Sequence, residues 1–199
     1  MWLVHKMFGQ WGELLQERRI RDGFPYLDGL WLYVQGSAYV GRGEIERAKE
    51  ALSLLQELQL NPTLETIISR FNPVSKVLKI ATLGLEGEIK QAEGNLEGAI
   101  AAFETAVQTE DELSYIEPPD WAQPMRHYLG AALLEAGRAA EAEQIYRQDL
   151  TWNQNNGWSL FGLWQSLEAQ GRIDDAREVA DTFQEAWKNA DVELSRSRF

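Results

Sequence analysis

Three side chains within a short stretch, Glu117, Asp120 and His127, are of types that can share a proton, since a carboxylate beside an imidazole can serve as a general base. Nothing around them completes a catalytic site. The chain has no Cys and only two His, His5 and His127, so cysteine nucleophiles, disulfides and thiolate metal sites are ruled out. No Ser lies in a motif that would mark it as a nucleophile. The acidic run Glu110, Asp111 and Glu112 lacks the Gly and the spacing of a calcium loop and reads as a solvated helix end. Neither a metal nor a cofactor is expected. Asp120 has a structural reading too, as the N-cap of a helix with Pro124 in its first turn. Trp121 stands at the same loop-to-helix junction, where its indole can face either the helices or the loop. A hydrolase built on this proline-rich loop is the remotest of three functional alternatives.

The elements that would hold such residues follow a period. Gly9 and Gly43 are 34 residues apart, as are Gly137 and Gly171. Seven residues before the repeating Gly stand Gly36, Gly87 and Gly130, five after it stand Ala48, Ala99, Ala142 and Ala176, and nine after it Leu52, Phe103 and Tyr146. Trp164 and Ala180 depart from this pattern. A Gly with positive φ ends one helix and reverses the chain, and small residues at fixed offsets let the two helices approach. Segments such as VLKIATLGL and AIAAFETAV carry apolar residues at spacings of three and four, which is helical periodicity. The chain is therefore read as all-α, built from stacked helix pairs that cannot bury their apolar faces singly.

Departures from the period place two insertions. Gly43 and Gly94 are 51 residues apart and Gly94 and Gly137 are 43 apart. One domain over 1–199 is expected, with a truncated repeat at 1–26, repeats at 27–60, 79–112 and 123–156, and a last repeat plus C-terminal cap at 157–199. Between them lie an insertion at 61–78, with a helix start at Asn61 and Pro62, and a loop at 113–122 that Pro118 and Pro119 keep from being helical. Counting back from Gly9 puts Met1 in the middle of a first helix, so the chain is expected to be a fragment of a longer array or to begin with an atypical cap. Trp2, Val4 and Trp11 would then be partly uncovered, a patch suited to self-association. Trp31, Trp164 and Trp187 are expected in the core by helical phase.

The 31 acidic and 19 basic residues give a formal charge of −12, which repels phosphate backbones and anionic lipid, so neither nucleic acid nor a membrane is an expected partner. Arg18, Arg19 and Arg21 form the tightest basic cluster, read as a solvated helix end. No stretch reads as a signal peptide or a membrane span, and the absence of Cys fits a reducing compartment, so a cytoplasmic location is expected unless an upstream signal is missing.

The repeating units resemble tetratricopeptide repeats, best in YLGAALLEAGRAAEAEQIY, and the resemblance covers nearly the whole chain. The segments EPPDW, NGWSLFGL and SRF also resemble the C-terminal part of longer bacterial proteins of that kind. The resemblance implies a right-handed superhelical stack of antiparallel helix pairs, a TPR-like α-solenoid, that binds a protein or peptide partner and has no catalysis of its own. In such repeats the first helices line a concave groove through residues thirteen, ten, six and three before the repeating Gly. Carried over to the four full repeats, these sixteen positions include Tyr33, Ser37, Glu88, His127, Trp158, Phe161 and Gln165. None of the sixteen is Lys, Arg or Asn, so the carboxylate clamp used by some members is not expected. Aromatic anchors dominate contact energy at interfaces, and Glu88 with Glu168 points to a partner of apolar and basic character. The second functional alternative is a structural cap of a longer array.

Overall fold

Five glycines adopt positive φ, Gly9 at 64°, Gly43 at 73°, Gly94 at 80°, Gly137 at 75° and Gly171 at 74°. At each, the amide of the next residue donates to a carbonyl five residues back, as in Glu44 to Tyr39 (2.8 Å) and Arg138 to Leu133 (2.8 Å). That is the Schellman closure, which satisfies the last carbonyls of a helix while turning the chain. The computed structural model describes residues 1–19, 24–69 and 71–198. Arg21 of the basic cluster and Phe199 of the terminal SRF lie outside the described residues.

Ten α-helices run through the described residues: α1 (Trp2–Met7), α2 (Trp11–Gln16), α3 (Pro25–Gly41), α4 (Ile45–Gln59), α5 (Val74–Ala92), α6 (Leu96–Asp111), α7 (Met125–Glu135), α8 (Ala139–Trp152), α9 (Gly157–Ala169) and α10 (Ile173–Trp187). The five glycines join them as consecutive antiparallel pairs. Two compact units result, Met1–Gln123 and Pro124–Arg198.

In the N-terminal unit, α3 packs on α4, α5 packs on both, and α6 packs on α5, while α1 and α2 lie against α3. Leu55, Val77, Leu78, Leu85 and Phe103 are fully buried between them. Asn61 accepts the Thr63 amide (3.0 Å) and Pro62 opens a single 3-10 turn, Pro62–Glu65, at the start of the first insertion. A two-residue antiparallel ribbon follows, β1 (Ile68–Ser69) with β2 (Asn72–Pro73), and α5 starts directly after Pro73. Trp2 is buried against Trp31, ring centroids 5.0 Å apart, whereas Val4 is exposed. The expected apolar patch at this end is thus reduced, because the first indole packs inward on α3.

In the C-terminal unit, α8 packs between α7 and α9, and α10 covers α9. Asn156 caps α9 by accepting the Ser159 amide (3.2 Å). Asp120 is not the cap of α7. That position belongs to Pro124, with no side-chain cap, because the Asp120 carboxylate is engaged by Asn72. Trp164 and Trp187 are half-buried rather than core, Trp187 because its indole N–H turns outward to the Val192 carbonyl (2.7 Å), whereas Trp31 is buried.

Candidate interaction faces

A helical spacing of four puts Tyr33 and Ser37 on one face of α3, one above the other. Glu88 joins them from α5. All three side chains are buried. Lys6, on α1, donates from Nζ to Glu88 Oε1 (2.8 Å), and the Ser37 hydroxyl donates to the same oxygen (3.2 Å). The Lys6 ammonium also sits 4.8 Å from the centroid of the Tyr33 ring. A buried ion pair of this kind is stable only when its remaining hydrogen-bonding capacity is met, and here the hydroxyl and the ring contribute to that. Lys6 lies three residues before Gly9, one of the offsets expected from the sequence to face a groove.

The same face is covered by the loop between α6 and α7. Trp121 packs on Tyr33 with ring centroids 5.2 Å apart, and Leu3, Met7 and Ala122 line the small remaining space. Asn72 fixes the loop's course: its amide nitrogen donates to the Ser114 carbonyl (3.0 Å) and to Asp120 Oδ2 (2.8 Å), and its oxygen accepts the Ser114 amide (2.7 Å). The side chain of Asn72 thereby pairs with both polar groups of one residue in the loop, much as a neighbouring strand would. Sequence reasoning missed it, for an Asn before a Pro reads as turn chemistry.

In the C-terminal unit, three helices contribute to a buried polar cluster. Asp149 of α8 is approached by His127 Nε2 of α7 (3.3 Å) and accepts hydrogen bonds from Ser159 of α9 (2.5 Å) and Asn153 (2.9 Å). Burial works to raise the Asp149 carboxyl, but the hydrogen bonds from His127, Ser159 and Asn153 outweigh it and hold the group below the usual carboxylate range. Although a Ser, a His and an Asp meet here, the hydroxyl donates to the carboxylate and not to the imidazole. An activated nucleophile requires the opposite connection. Trp158 stacks on His127 at 6.4 Å and meets Trp187 edge-on at 4.9 Å, and Phe161 lies edge-on to Trp164 (5.5 Å) and Phe183 (5.4 Å).

Tyr146 of α8 passes between α7 and α9. A Cβ on Gly130 would lie 2.3 Å from its ring and one on Gly162 would lie 2.2 Å from it, so only glycine admits the phenol at both crossings. Its hydroxyl meets Ser197 Oγ at 2.6 Å, and Ser197 in turn donates to the His127 carbonyl (3.1 Å). Burial pushes the Tyr146 phenol well above its ordinary pKa, so it is a neutral donor. The segment after α10 is held further by Trp187 Nε1 on the Val192 carbonyl (2.7 Å), by Gln165 on the Ser195 carbonyl (3.4 Å), and by the Arg198 guanidinium 5.1 Å from the Tyr128 ring centroid.

Of the sixteen positions expected to face a groove, nine are buried and only Glu168 is exposed. The positions are assembled within each unit, but stretches of the chain itself cover them. The loop residues have separate partners: Glu117 accepts from the Tyr115 hydroxyl, Asp120 from Asn72, and His127 faces Asp149.

Helix pairs turning on a positive-φ Gly, with small residues at the crossings and, within each unit, a second helix packed against the next first helix (α4 on α5, α8 on α9), define a helical-repeat protein. Residues 133–190 match the tetratricopeptide-repeat family model. The chain also has the fold of the nearly identical TPR-like repeats of a protein from Podosopora anserina described as a kinesin light chain, whose crystal structure superposes with a TM-score of 0.56 at 19% identity, covering 96% of this chain and 94% of that one. No curated protein matches the sequence. No described helix is long and apolar enough to cross a membrane.

Proposed function

We propose that this chain is a protein-interaction scaffold without catalysis of its own, whose first helices hold a partner segment against their inner faces. One observation carries this reading. In both units, side chains at or beside the groove positions already grip a non-helical stretch of the same chain, Tyr33 the indole of Trp121 and Gln165 the Ser195 carbonyl. Faces that bind such stretches in cis have the chemistry to bind them in trans. The basic groups settled on aromatic rings, Lys6 on Tyr33 and Arg198 on Tyr128, support a partner of apolar and basic character. A structural cap for a longer array draws its support from α10, whose Asp174, Asp175, Arg177 and Glu178 are solvent-exposed.

The test is capture by the immobilised full chain from cell extract, comparing wild type with Gln165→Ala and Glu168→Lys, two side chains that carry little packing. A partner taken up by the wild type should be reduced about ten-fold by each substitution, a loss of ~1.4 kcal/mol, with an unchanged thermal melt. Undiminished capture by both variants would remove the inner face from the account.

A further inference from the structure

Residues 191–198 have no helix or strand, and of these eight only Ser197 and Arg198 are buried. The segment is held through groups of a kind any peptide could reproduce, among them two main-chain carbonyls, of Val192 and Ser195, one hydroxyl and one guanidinium. The hydroxyl is placed with directional specificity. Since Ser197 gives its only proton to the His127 carbonyl, its oxygen is left to accept from Tyr146, a donor that reaches this point only because Gly130 and Gly162 let the ring through. The next residue, Arg198, lays its charge on Tyr128. The stretch Lys188–Asp191 that leads in from α10 is exposed throughout, so few contacts oppose its swinging away.

We infer that the C-terminal unit recognises a segment in which a serine hydroxyl is followed directly by an arginine, and that Ser197 and Arg198 are a built-in copy of that ligand. This rests on the reading of the inner faces as partner sites and names the chemistry one of them selects. The built-in copy acts as a competitor. A short tether holds it at ~mM effective concentration, so a partner must present the same pair with added contacts, or in several copies, to displace it.

To test this, a protease site is placed between Ala190 and Asp191 of the full chain, and the segment is cut off the folded protein and removed by gel filtration. A dye-labelled peptide, VELSRSRF, is titrated into cut and uncut protein by fluorescence anisotropy. The peptide should bind the cut protein and bind the uncut protein at least ~ten-fold more weakly, the tethered copy being in the way. Peptides with Ala for the serine of Ser197 or for the arginine of Arg198 should each lose about ten-fold, a change of ~1.4 kcal/mol. Cut protein carrying Tyr146→Phe keeps the His127 carbonyl as acceptor but loses the phenol donor, so it should tell the serine peptide from its alanine variant less well than cut wild type does, a readout that general loss of structure would not produce. Absence of binding by cut protein with a native circular dichroism spectrum, equal binding by cut and uncut forms, or equal binding of all three peptides would each overturn the inference. Partner capture from extract that survives such a result would leave the wider scaffold reading standing, whereas peptide binding without capture would fault that reading alone.

Discussion

Replacing Lys6 by Met removes one partner of an ion pair whose side chains are 2% and 3% exposed. The Glu88 carboxylate then stays in place with the Ser37 hydroxyl and no cation. Leaving one member of a buried pair alone costs ~3–5 kcal/mol, while replacing both by apolar groups of similar volume is near neutral or stabilising. Lys6→Met is therefore expected to lower the stability of the N-terminal unit by ~3–5 kcal/mol, and the double variant Lys6→Met with Glu88→Met to recover most of the loss. In the double variant Ser37 has a substitute acceptor, the carbonyl of Tyr33 one turn back. For a protein of this size each kcal/mol moves the melting temperature by ~2–4 °C, so the single variant should melt ~6–20 °C lower. Urea unfolding of wild type, both single variants and the double variant gives the coupling directly. If the single losses simply add in the double variant, with a coupling under ~0.5 kcal/mol, the pair is not acting as a desolvated unit and the burial argument fails.

Two further outcomes follow from the C-terminal unit. Gly162→Ala would put a methyl carbon 2.2 Å from the Tyr146 ring, which Gly130 confines on its other side; a loss of ~1–3 kcal/mol in thermal melting is expected, relieved in part by Tyr146→Leu. Asp149, held below its ordinary value of 3.8 in the fold, contributes stability that is present above that pH and is lost as pH falls through the lower folded value. Acid titration followed by near-ultraviolet circular dichroism should show this loss, and Asp149→Asn should abolish that part of the pH dependence.

The helix pairs were legible because their signal is local and repeated: a Gly that must take positive φ, and Ala or Gly where helices cross, stand at fixed offsets from one another. The same offset finds Lys6 once it is applied to Gly9 as well as to the complete repeats. What the period cannot reach is any contact made by a segment outside it. Asn72 grips Ser114 across 42 positions of sequence, and Ser197 meets His127 across 70. No spacing rule foretells either. Asp120 shows the same limit at short range, since its capping reading was chemically sound and was overridden by a partner in the other insertion. The burial of Tyr33, Ser37 and Glu88 belongs here too: periodicity assigned them to a face, but whether a face is open depends on what the aperiodic stretches do.

Nine residues beyond their respective turning glycines, Phe103 and Tyr146 fill equivalent slots, one against Gly87 and the other against Gly130. They differ by a single oxygen atom. In the C-terminal unit that atom reaches past the first-helix layer and holds a serine, although the residue carrying it belongs to the second-helix layer behind. Selectivity in such an array is therefore not written only on the helices a visitor touches. A one-atom exchange in the rear layer, passed through a glycine gap, can give one repeat a polar reading head and its neighbour a dry one, leaving the visible surface of both unaltered.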